Sequence, residues 1–182
     1  MKRLSRFMSV QSSKPRSPVY RLWALSCGSL FFLVLVPLLL GAVARFLVRS
    51  IKSPFSRPFE IAFGASMICL GLLILFWAVS AFWRLGDGTP APVAAPRRLV
   101  ARGPYRYCRN PIQLGAIIYF LGLGCAFLSF AEGTAMFLIS LILGSVYHKF
   151  VEEPGLLSRF GPDYDDYRKR TPFLIPRLRR KF

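Results

Sequence analysis

The sequence predicts an all-α integral membrane protein with about four transmembrane helices, followed by a short cytoplasmic helical segment. Hydrophobic residues make up 54% of the 182 residues, more than an ordinary soluble domain contains. They are concentrated in runs of roughly twenty residues, the length that a helix needs to cross a bilayer. Basic residues lie between these runs and at the chain ends. The predicted spans are 22–44, 61–83, 112–130 and 134–151.

The excess of positive charge indicates contact with membrane lipids rather than with nucleic acid. Lysine and arginine number 25 against 8 acidic residues, which gives a net charge of +17. Because the basic side chains flank apolar runs, membrane orientation and anionic headgroups explain them better than nucleic acid does. The N-terminal tail, the loop after the second span and the C-terminal segment hold most of them. By the positive-inside rule, we expect both termini to face the cytoplasm.

Composition divides the chain into three regions. Residues 1–21 are basic and lack hydrophobic periodicity, which predicts a flexible cytoplasmic tail. Residues 22–98 contain the first two spans and a loop rich in proline and glycine. Residues 99–182 contain a helical hairpin and a cytoplasmic C-terminal segment. Gly64 and Gly71 in the second span are expected to allow another helix to approach closely.

Local signals define the hairpin and the segment that follows it. Asn110 and Pro111 are favoured at the N-cap and first turn of a helix, so the third span should begin there. Residues 131–134 are predicted to form the tight turn between the third and fourth spans. Pro154 predicts that the fourth helix ends or bends just after Glu153. Three aspartates followed by three basic residues within 163–170 predict a short helix.

Glu152 and Glu153 are the strongest candidates for a functional site. Carboxylates at the end of a membrane span are costly unless they have a partner or a function. Negative charge at a helix C-terminus opposes the helix dipole, so capping does not explain them. The hairpin should bring Arg109 to the same membrane face, where it could pair with a glutamate or bind a ligand carboxylate. The alternative is two solvated glutamates and an arginine that only sets orientation.

Two further side chains near this face have functional and structural interpretations. His148 lies four residues before Glu152, hence on the same helix face, and the two could relay a proton or simply bond to each other. Cys108 lies among arginines that could lower its pKa, but it lacks a partner that would make it a nucleophile. The four cysteines are scattered and no metal-ligand cluster is evident, so we expect no metal site.

Several separated motifs of this region occur in a fixed order. They are GPYRYCRNP at 103–111, Gly115, EEP at 152–154, FGPDYDDY at 160–167 and Ile175-Pro176. On these motifs, residues 99–177 resemble the C-terminal half of the isoprenylcysteine carboxyl methyltransferase and phospholipid methyltransferase superfamily. The first two spans resemble this superfamily only in hydropathy.

The resemblance implies a multi-pass membrane methyltransferase that uses S-adenosylmethionine and a lipid-like acceptor. It implies that Arg109, Glu152 and Glu153 are catalytic. The expected cofactor-binding residues are Asn110, Gly115, His148, Tyr164 and Tyr167, of which His148 is added for its place beside Glu152. A sulfonium is a cation, so carboxylates and aromatic faces suit it.

Two positions depart from the pattern of the superfamily. Asn110 stands where many members have a histidine, so one candidate base is absent. Asparagine here is common among members that resemble bacterial proteins, so we expect a bacterial inner membrane. Gln113 stands where a tyrosine is expected. The acceptor therefore stays open between an isoprenylcysteine-type carboxyl group and a phospholipid amine. A non-catalytic membrane scaffold that retains the hairpin is the alternative from another class, and a membrane reductase is a third interpretation.

Overall fold

The computed structural model describes residues 17–90 and 96–177, and all regular structure within these ranges is helical. Helices α1, α2 and α4 are long and apolar enough to cross a membrane, and α3 is a shorter apolar helix. The predicted all-α membrane fold is therefore confirmed. The elements are α1 Pro18–Val48, α2 Arg57–Leu85, a 3₁₀ turn Gly103–Arg106, α3 Pro111–Phe127, α4 Phe130–Phe160 and α5 Pro162–Arg170.

Two prolines lie inside long helices, and each follows a short π-helical segment. The π segments are Phe31–Leu35 before Pro37 and His148–Glu152 before Pro154. Proline lacks an N–H, and its ring clashes with the carbonyl four residues earlier in an α-helix. A π turn bonds five residues back and so moves that carbonyl away from the ring. Of the predicted end or bend just after Glu153, the end is wrong, because the helix continues to Phe160; the α-helical pattern is instead interrupted by the π segment directly before Glu153.

Helix α1 begins earlier than predicted. Residues 1–16 of the predicted flexible tail lie outside the described residues, but residues 18–21 are already helical. The Arg21 guanidinium donates to Asp87 Oδ1 at 2.7 Å and to the Trp83 carbonyl at 2.9 Å, and it stacks 4.3 Å from the Trp83 ring centroid. Arg21, predicted to belong to the tail, is instead anchored at the end of α2.

The described residues divide into two compact units, which we treat separately. The helix-packing unit contains residues 29–75 and 112–144. The site unit contains the described residues up to Gly28 together with 76–90, 96–111 and 145–177.

Glycines bring α2 and α3 into backbone contact within the helix-packing unit. A Cβ added at Gly64 would lie 2.6 Å from the Ala126 nitrogen, and one added at Gly71 would lie 2.6 Å from the Tyr119 nitrogen. No side chain fits in such a space, so both positions require glycine. The predicted close helix approach at Gly64 and Gly71 is confirmed.

The turn between α3 and α4 lies at residues 128–129 rather than at the predicted 131–134. Ser129 Oγ accepts a hydrogen bond from the Glu132 amide at 3.4 Å, which makes Ser129 and Glu132 the ends of an S-x-x-E capping pattern. Gly133 is a packing residue inside α4, because a Cβ there would lie 2.6 Å from Cys125 Sγ. The sequence predicted a turn at 131–134, which includes Gly133, but the Ser129 cap starts α4 at Phe130, before these residues.

Arg57 and Glu60 in the first turn of α2 hold this turn in place. The Arg57 guanidinium donates to the carbonyls of Cys125, Ala126 and Leu128 at 3.2, 2.6 and 2.9 Å. The first two residues lie in the last turn of α3, and Leu128 lies in the turn that follows. Glu60, which is 4% exposed, accepts from the first amide of α4 at 2.8 Å. Together they supply partners for the free backbone groups of two helix ends. Sequence reasoning missed this role.

Matched glycine substitutions in α4 test the close packing at Gly133. Gly133→Ala is expected to destabilise the protein by about 1–3 kcal/mol, because the methyl group has no room beside Cys125. Gly155→Ala in the same helix is the control, since its Cβ would meet nothing within 4 Å. It should be neutral or stabilising by up to about 1 kcal/mol. Thermal unfolding in detergent compares them, and equal stability of the two variants would contradict the packing model.

Candidate functional site

The centre of the site unit is a buried ion pair between Arg109 and Glu153. One guanidinium nitrogen of Arg109 lies 2.5 Å from Glu153 Oε1, and the side chains are only 11% and 6% exposed. Lys149, one helical turn before Glu153, reaches the other carboxylate oxygen at 3.4 Å but is itself 57% exposed. The hairpin thus brings together an arginine and a glutamate that lie 44 positions apart in the chain, as the sequence predicted.

The C-terminal segment holds Arg109 in position. The Arg109 amide donates to the Pro172 carbonyl at 2.9 Å, and the Asn110 side-chain amide donates to the Phe173 carbonyl at 3.0 Å. The Arg109 guanidinium also lies 5.6 Å from the Phe173 ring centroid. The Arg177 amide donates to the Tyr107 carbonyl at 3.1 Å. The segment that carries Arg109 is therefore fixed along its length before any ligand binds.

Asn110 has a structural contact where the sequence predicted a helix cap and a cofactor contact. Helix α3 begins at Pro111, directly after it, so the predicted helix start is confirmed. The side-chain amide is used to bind the Phe173 carbonyl. Its predicted place among the cofactor-binding residues stays a prediction.

Glu152 and His148 form a second, more exposed pair. His148 Nδ1 contacts Glu152 Oε2, and the two side chains are 19% and 30% exposed. They are the first and last residues of the π segment, and Glu152 directly precedes the buried Glu153. Two adjacent carboxylates thus have different surroundings: Glu153 is buried against an arginine, and Glu152 stays accessible. Glu152 is the better placed of the two to touch a ligand.

The two predicted tyrosines of α5 belong to the site unit, with ring centroids 6.2 Å apart. Tyr164 is 2% exposed, and burial, together with the charge of Glu153, raises its pKa to about 12. The Tyr167 hydroxyl donates to the Tyr105 carbonyl at 2.7 Å, and burial raises its pKa well above the ordinary value. Both are neutral phenols at physiological pH.

Tyr105 is a residue that sequence reasoning did not single out as functional. It lies in the 3₁₀ turn Gly103–Arg106, which begins with a glycine whose φ of +62° other residues rarely adopt. Its ring stacks on Phe82 with a centroid distance of 4.7 Å. The side chain is 5% exposed, and its hydroxyl has no hydrogen-bond partner within residues 17–90 and 96–177. The motif GPYR was visible in the sequence, but nothing in it showed that the hydroxyl would be buried.

Gly115 and Gln113 lie in the helix-packing unit. A Cβ added at Gly115 would lie 2.9 Å from Leu75 Cγ, so close contact with α2 accounts for this glycine. Gln113 is 4% exposed and donates to the Leu141 carbonyl on α4 at 3.3 Å. The predicted cofactor role of Gly115 remains untested, whereas its packing contact is direct.

Cys108 differs from the expectation that nearby arginines could lower its pKa. The thiol is 1% exposed, and burial raises its pKa to about 11. Desolvation disfavours the thiolate more than the surrounding positive charge favours it. Cys108 is therefore an unreactive thiol in the folded protein.

The site unit contains polar groups that fit a cationic, polar cofactor. Arg109 Nε and the Tyr105 hydroxyl are buried and have no partner among the described residues, and native structures rarely leave such atoms unpaired. Gly155 is buried one turn after Glu152, yet a Cβ there would meet nothing within 4 Å. Among the described residues, no group of three or more His, Cys, Asp or Glu could hold a metal ion.

The sequence matches a known family over more than half of its length. The family model for phospholipid methyltransferases matches residues 59–163, which include α2, the Arg109 segment and the two glutamates. The chain belongs to this family. The match confirms the superfamily that the motifs indicated. The protein is accordingly a multi-pass membrane protein of the phospholipid methyltransferase family.

Of three curated relatives, two are named as methyltransferases and one as a metal-resistance protein. The chain is 33% identical over 115 residues to the protein-S-isoprenylcysteine O-methyltransferase of Schizosaccharomyces pombe, covering 60% of this chain and 46% of that protein. It is 36% identical over 78 residues to methanethiol S-methyltransferase 2 of Bradyrhizobium diazoefficiens, covering 41% and 27%. It is 37% identical over 81 residues to the nickel-cobalt-cadmium resistance protein NccN of Alcaligenes xylosoxydans xylosoxydans, covering 44% and 37%.

The chain spans less than half the length of each of these relatives. No solved structure matches it significantly.

A double-mutant cycle tests the ion pair at the centre of the site unit. Arg109→Met is expected to destabilise the protein by about 3–5 kcal/mol, because it leaves the Glu153 carboxylate buried beside only an exposed lysine. Adding Glu153→Gln should recover part of that loss. Lys149→Met is the control, expected to cost less than about 1 kcal/mol. Additive effects of the first two substitutions in thermal or denaturant unfolding would show that they are not coupled.

The raised pKa of Cys108 predicts slow alkylation. At pH 8 almost none of a thiol with a pKa of about 11 is ionised, and only the thiolate reacts. Iodoacetamide should therefore modify Cys108 at least about a hundred times more slowly than free cysteine. Mass spectrometry of peptides after timed labelling measures this, with protein unfolded in denaturant as the positive control. Rapid labelling of the folded protein would show that the thiol is accessible and ionised.

Proposed function

We propose that this protein is an S-adenosylmethionine-dependent methyltransferase that acts on a lipid-like or amphiphilic acceptor. The observation that carries the proposal is the Arg109–Glu153 ion pair, which holds the accessible Glu152 beside it within a membrane protein of the phospholipid methyltransferase family. Isoprenylcysteine-type carboxyl methylation is the favoured form. Phospholipid N-methylation is the alternative.

S-adenosylmethionine supplies a methyl group activated by attachment to a positively charged sulfur. The chain's contribution is to bind this cation and hold the acceptor in line with it while water is excluded. Glu152 offers an accessible negative charge, and the neutral phenol rings of Tyr164 and Tyr167 would line the pocket beside it. Glu153 and the C-terminal segment hold Arg109 in place. Arg109 would then position the glutamates and tyrosines of the site, or bind a carboxylate through its Nε, which has no partner among the described residues.

The site has a limited supply of bases, which bears on the acceptor. A carboxylate oxygen is already nucleophilic and needs none, whereas a protonated amine must first lose a proton. Among the described residues of the site, the His148–Glu152 pair is the more exposed group that could accept it, and Glu153 is buried against Arg109. The names of the relatives, an isoprenylcysteine O-methyltransferase and a methanethiol S-methyltransferase, agree with acceptors other than amines. This favours the carboxyl acceptor.

The basic loops suggest how the protein lies in the membrane. We place both termini and the site at the cytoplasmic face of a bacterial inner membrane, where positive loops are favoured. Exposed arginines near the site, such as Arg97, Arg98, Arg102 and Arg106, would then contact anionic headgroups. A lipid-like acceptor would reach the site from the same leaflet.

Glutamate substitutions test the proposed activity. Glu153→Gln is expected to lower methyl transfer at least about tenfold, because Arg109 loses its charged partner. Glu152→Gln should mainly weaken binding of S-adenosylmethionine. Arg98→Gln is the control, since its exposed side chain lies outside the ion pairs described, and it should change little. Transfer of tritiated methyl groups in membranes, with identification of the labelled product, measures the activity and names the acceptor.

Binding separates the proposal from its competitors. Calorimetry on the detergent-purified protein should show saturable binding of S-adenosylmethionine. No binding by the wild-type protein would favour a non-catalytic scaffold. Dependence on a nicotinamide cofactor would instead favour a reductase. Near-normal turnover of the Glu153→Gln variant would overturn the role assigned to this residue.

A further inference from the structure

Tyr105 is buried in the site unit, and its hydroxyl has no partner among the described residues and no role in the chemistry proposed above. Its ring packs against Phe82, and its carbonyl accepts the Tyr167 hydroxyl. The backbone is held by the 3₁₀ turn, in which the Tyr107 amide bonds to the Pro104 carbonyl at 3.0 Å. The ring is therefore fixed, and the hydroxyl cannot swing toward another partner without breaking these contacts.

A fixed, buried hydroxyl without a partner carries a free-energy cost. Folding removes it from water, where it would hydrogen-bond, and returns nothing. A phenylalanine at 105 would fill the same volume and stack on Phe82 equally well. The hydroxyl is therefore better explained by a ligand than by stability.

The electrostatics of the site indicate what kind of ligand group would complete the bond. Burial raises the pKa of Tyr105 well above its ordinary value, and the nearby negative charge of Glu152 raises it further, so the phenol stays neutral. A ligand group that approaches both a phenolic oxygen and a carboxylate should be positive, because an anion would be repelled by Glu152. A positive group forms hydrogen bonds through its N–H, so it would donate to the phenolic oxygen, which can accept.

S-adenosylmethionine contains one group that meets both conditions, its α-ammonium, whereas its sulfonium has no N–H. We propose that Tyr105 is a cofactor-binding residue whose hydroxyl oxygen accepts a hydrogen bond from the ammonium group of S-adenosylmethionine, beside Glu152. A Cβ added at Gly155, one helical turn beyond Glu152, would meet nothing within 4 Å, so no described side chain fills the space next to it. This assignment rests on the proposed function and adds a residue and a cofactor group to it.

The test is Tyr105→Phe in the full-length protein, measured by calorimetry and by thermal unfolding. Without ligand, its melting temperature should be unchanged or up to about 3 °C higher, because an unpaired polar group is removed. The Kd for S-adenosylmethionine should rise roughly fivefold to tenfold. S-adenosylhomocysteine, which keeps the ammonium but has no sulfonium charge, should lose affinity to the same extent. Methylthioadenosine, which lacks the ammonium, should bind both proteins equally.

Two tyrosine substitutions serve as controls. Tyr107→Phe removes a hydroxyl from the same loop, where the ring packs near Trp77 and Arg106, and should leave the Kd unchanged. Tyr167→Phe removes the bond to the Tyr105 carbonyl and should lower the melting temperature, which shows the behaviour of a structural hydroxyl.

The outcomes separate this inference from the proposed function. A wild-type protein that does not bind S-adenosylmethionine refutes the proposed function itself. If the wild type binds and Tyr105→Phe binds within twofold of it, the inference alone is overturned. Affinity lost for S-adenosylmethionine but not for S-adenosylhomocysteine overturns the assignment to the ammonium group. A Tyr105→Phe protein that fails to fold also overturns it, because the hydroxyl would then have a structural partner.

Discussion

The site unit depends on neutralising one buried carboxylate. Glu153 is almost fully enclosed, and an unpaired charge there would oppose folding strongly. Arg109 supplies the countercharge, so the segment that carries it must stay close to α4. The bonds from 107–110 to the C-terminal segment keep it there. One electrostatic requirement thus fixes a helix end, a loop and the chain's C-terminal segment, which are far apart in sequence.

The π segments show how a helix can place adjacent side chains differently. A regular α-helix could not continue through Pro154 without losing a bond and clashing with the carbonyl of Phe150. The wider turn at 148–152 absorbs that defect and keeps the chain helical to Phe160. It also lies where Glu152 and Glu153 diverge, one toward His148 and one toward Arg109. The same π segment therefore accommodates Pro154 and separates the side chains of Glu152 and Glu153.

Sequence reasoning succeeded where a feature depends on composition or on a short motif. Apolar run length predicted the helices, and the hairpin predicted that Arg109 and Glu153 would meet, because both follow from hydrophobic length and helix rise. Sequence-based prediction failed where tertiary contacts decide between two local structures that the sequence allows equally. Gly133 suggested a turn, yet Ser129 caps the helix and glycine serves the contact with Cys125. The burial of Tyr105 and Cys108 depends on long-range packing that no local pattern records.

A membrane environment explains why the two units manage polar groups in different ways. In the helix-packing unit, glycines let backbones touch, and Arg57 and Glu60 supply partners for the free groups at two helix ends. Unpaired backbone groups have no water to bond in such surroundings, so each needs a partner within the protein. In the described part of the site unit, by contrast, the Tyr105 hydroxyl and Arg109 Nε are left without partners. The rule that every buried polar group needs a partner makes these two atoms the places where the proposed cofactor would bind.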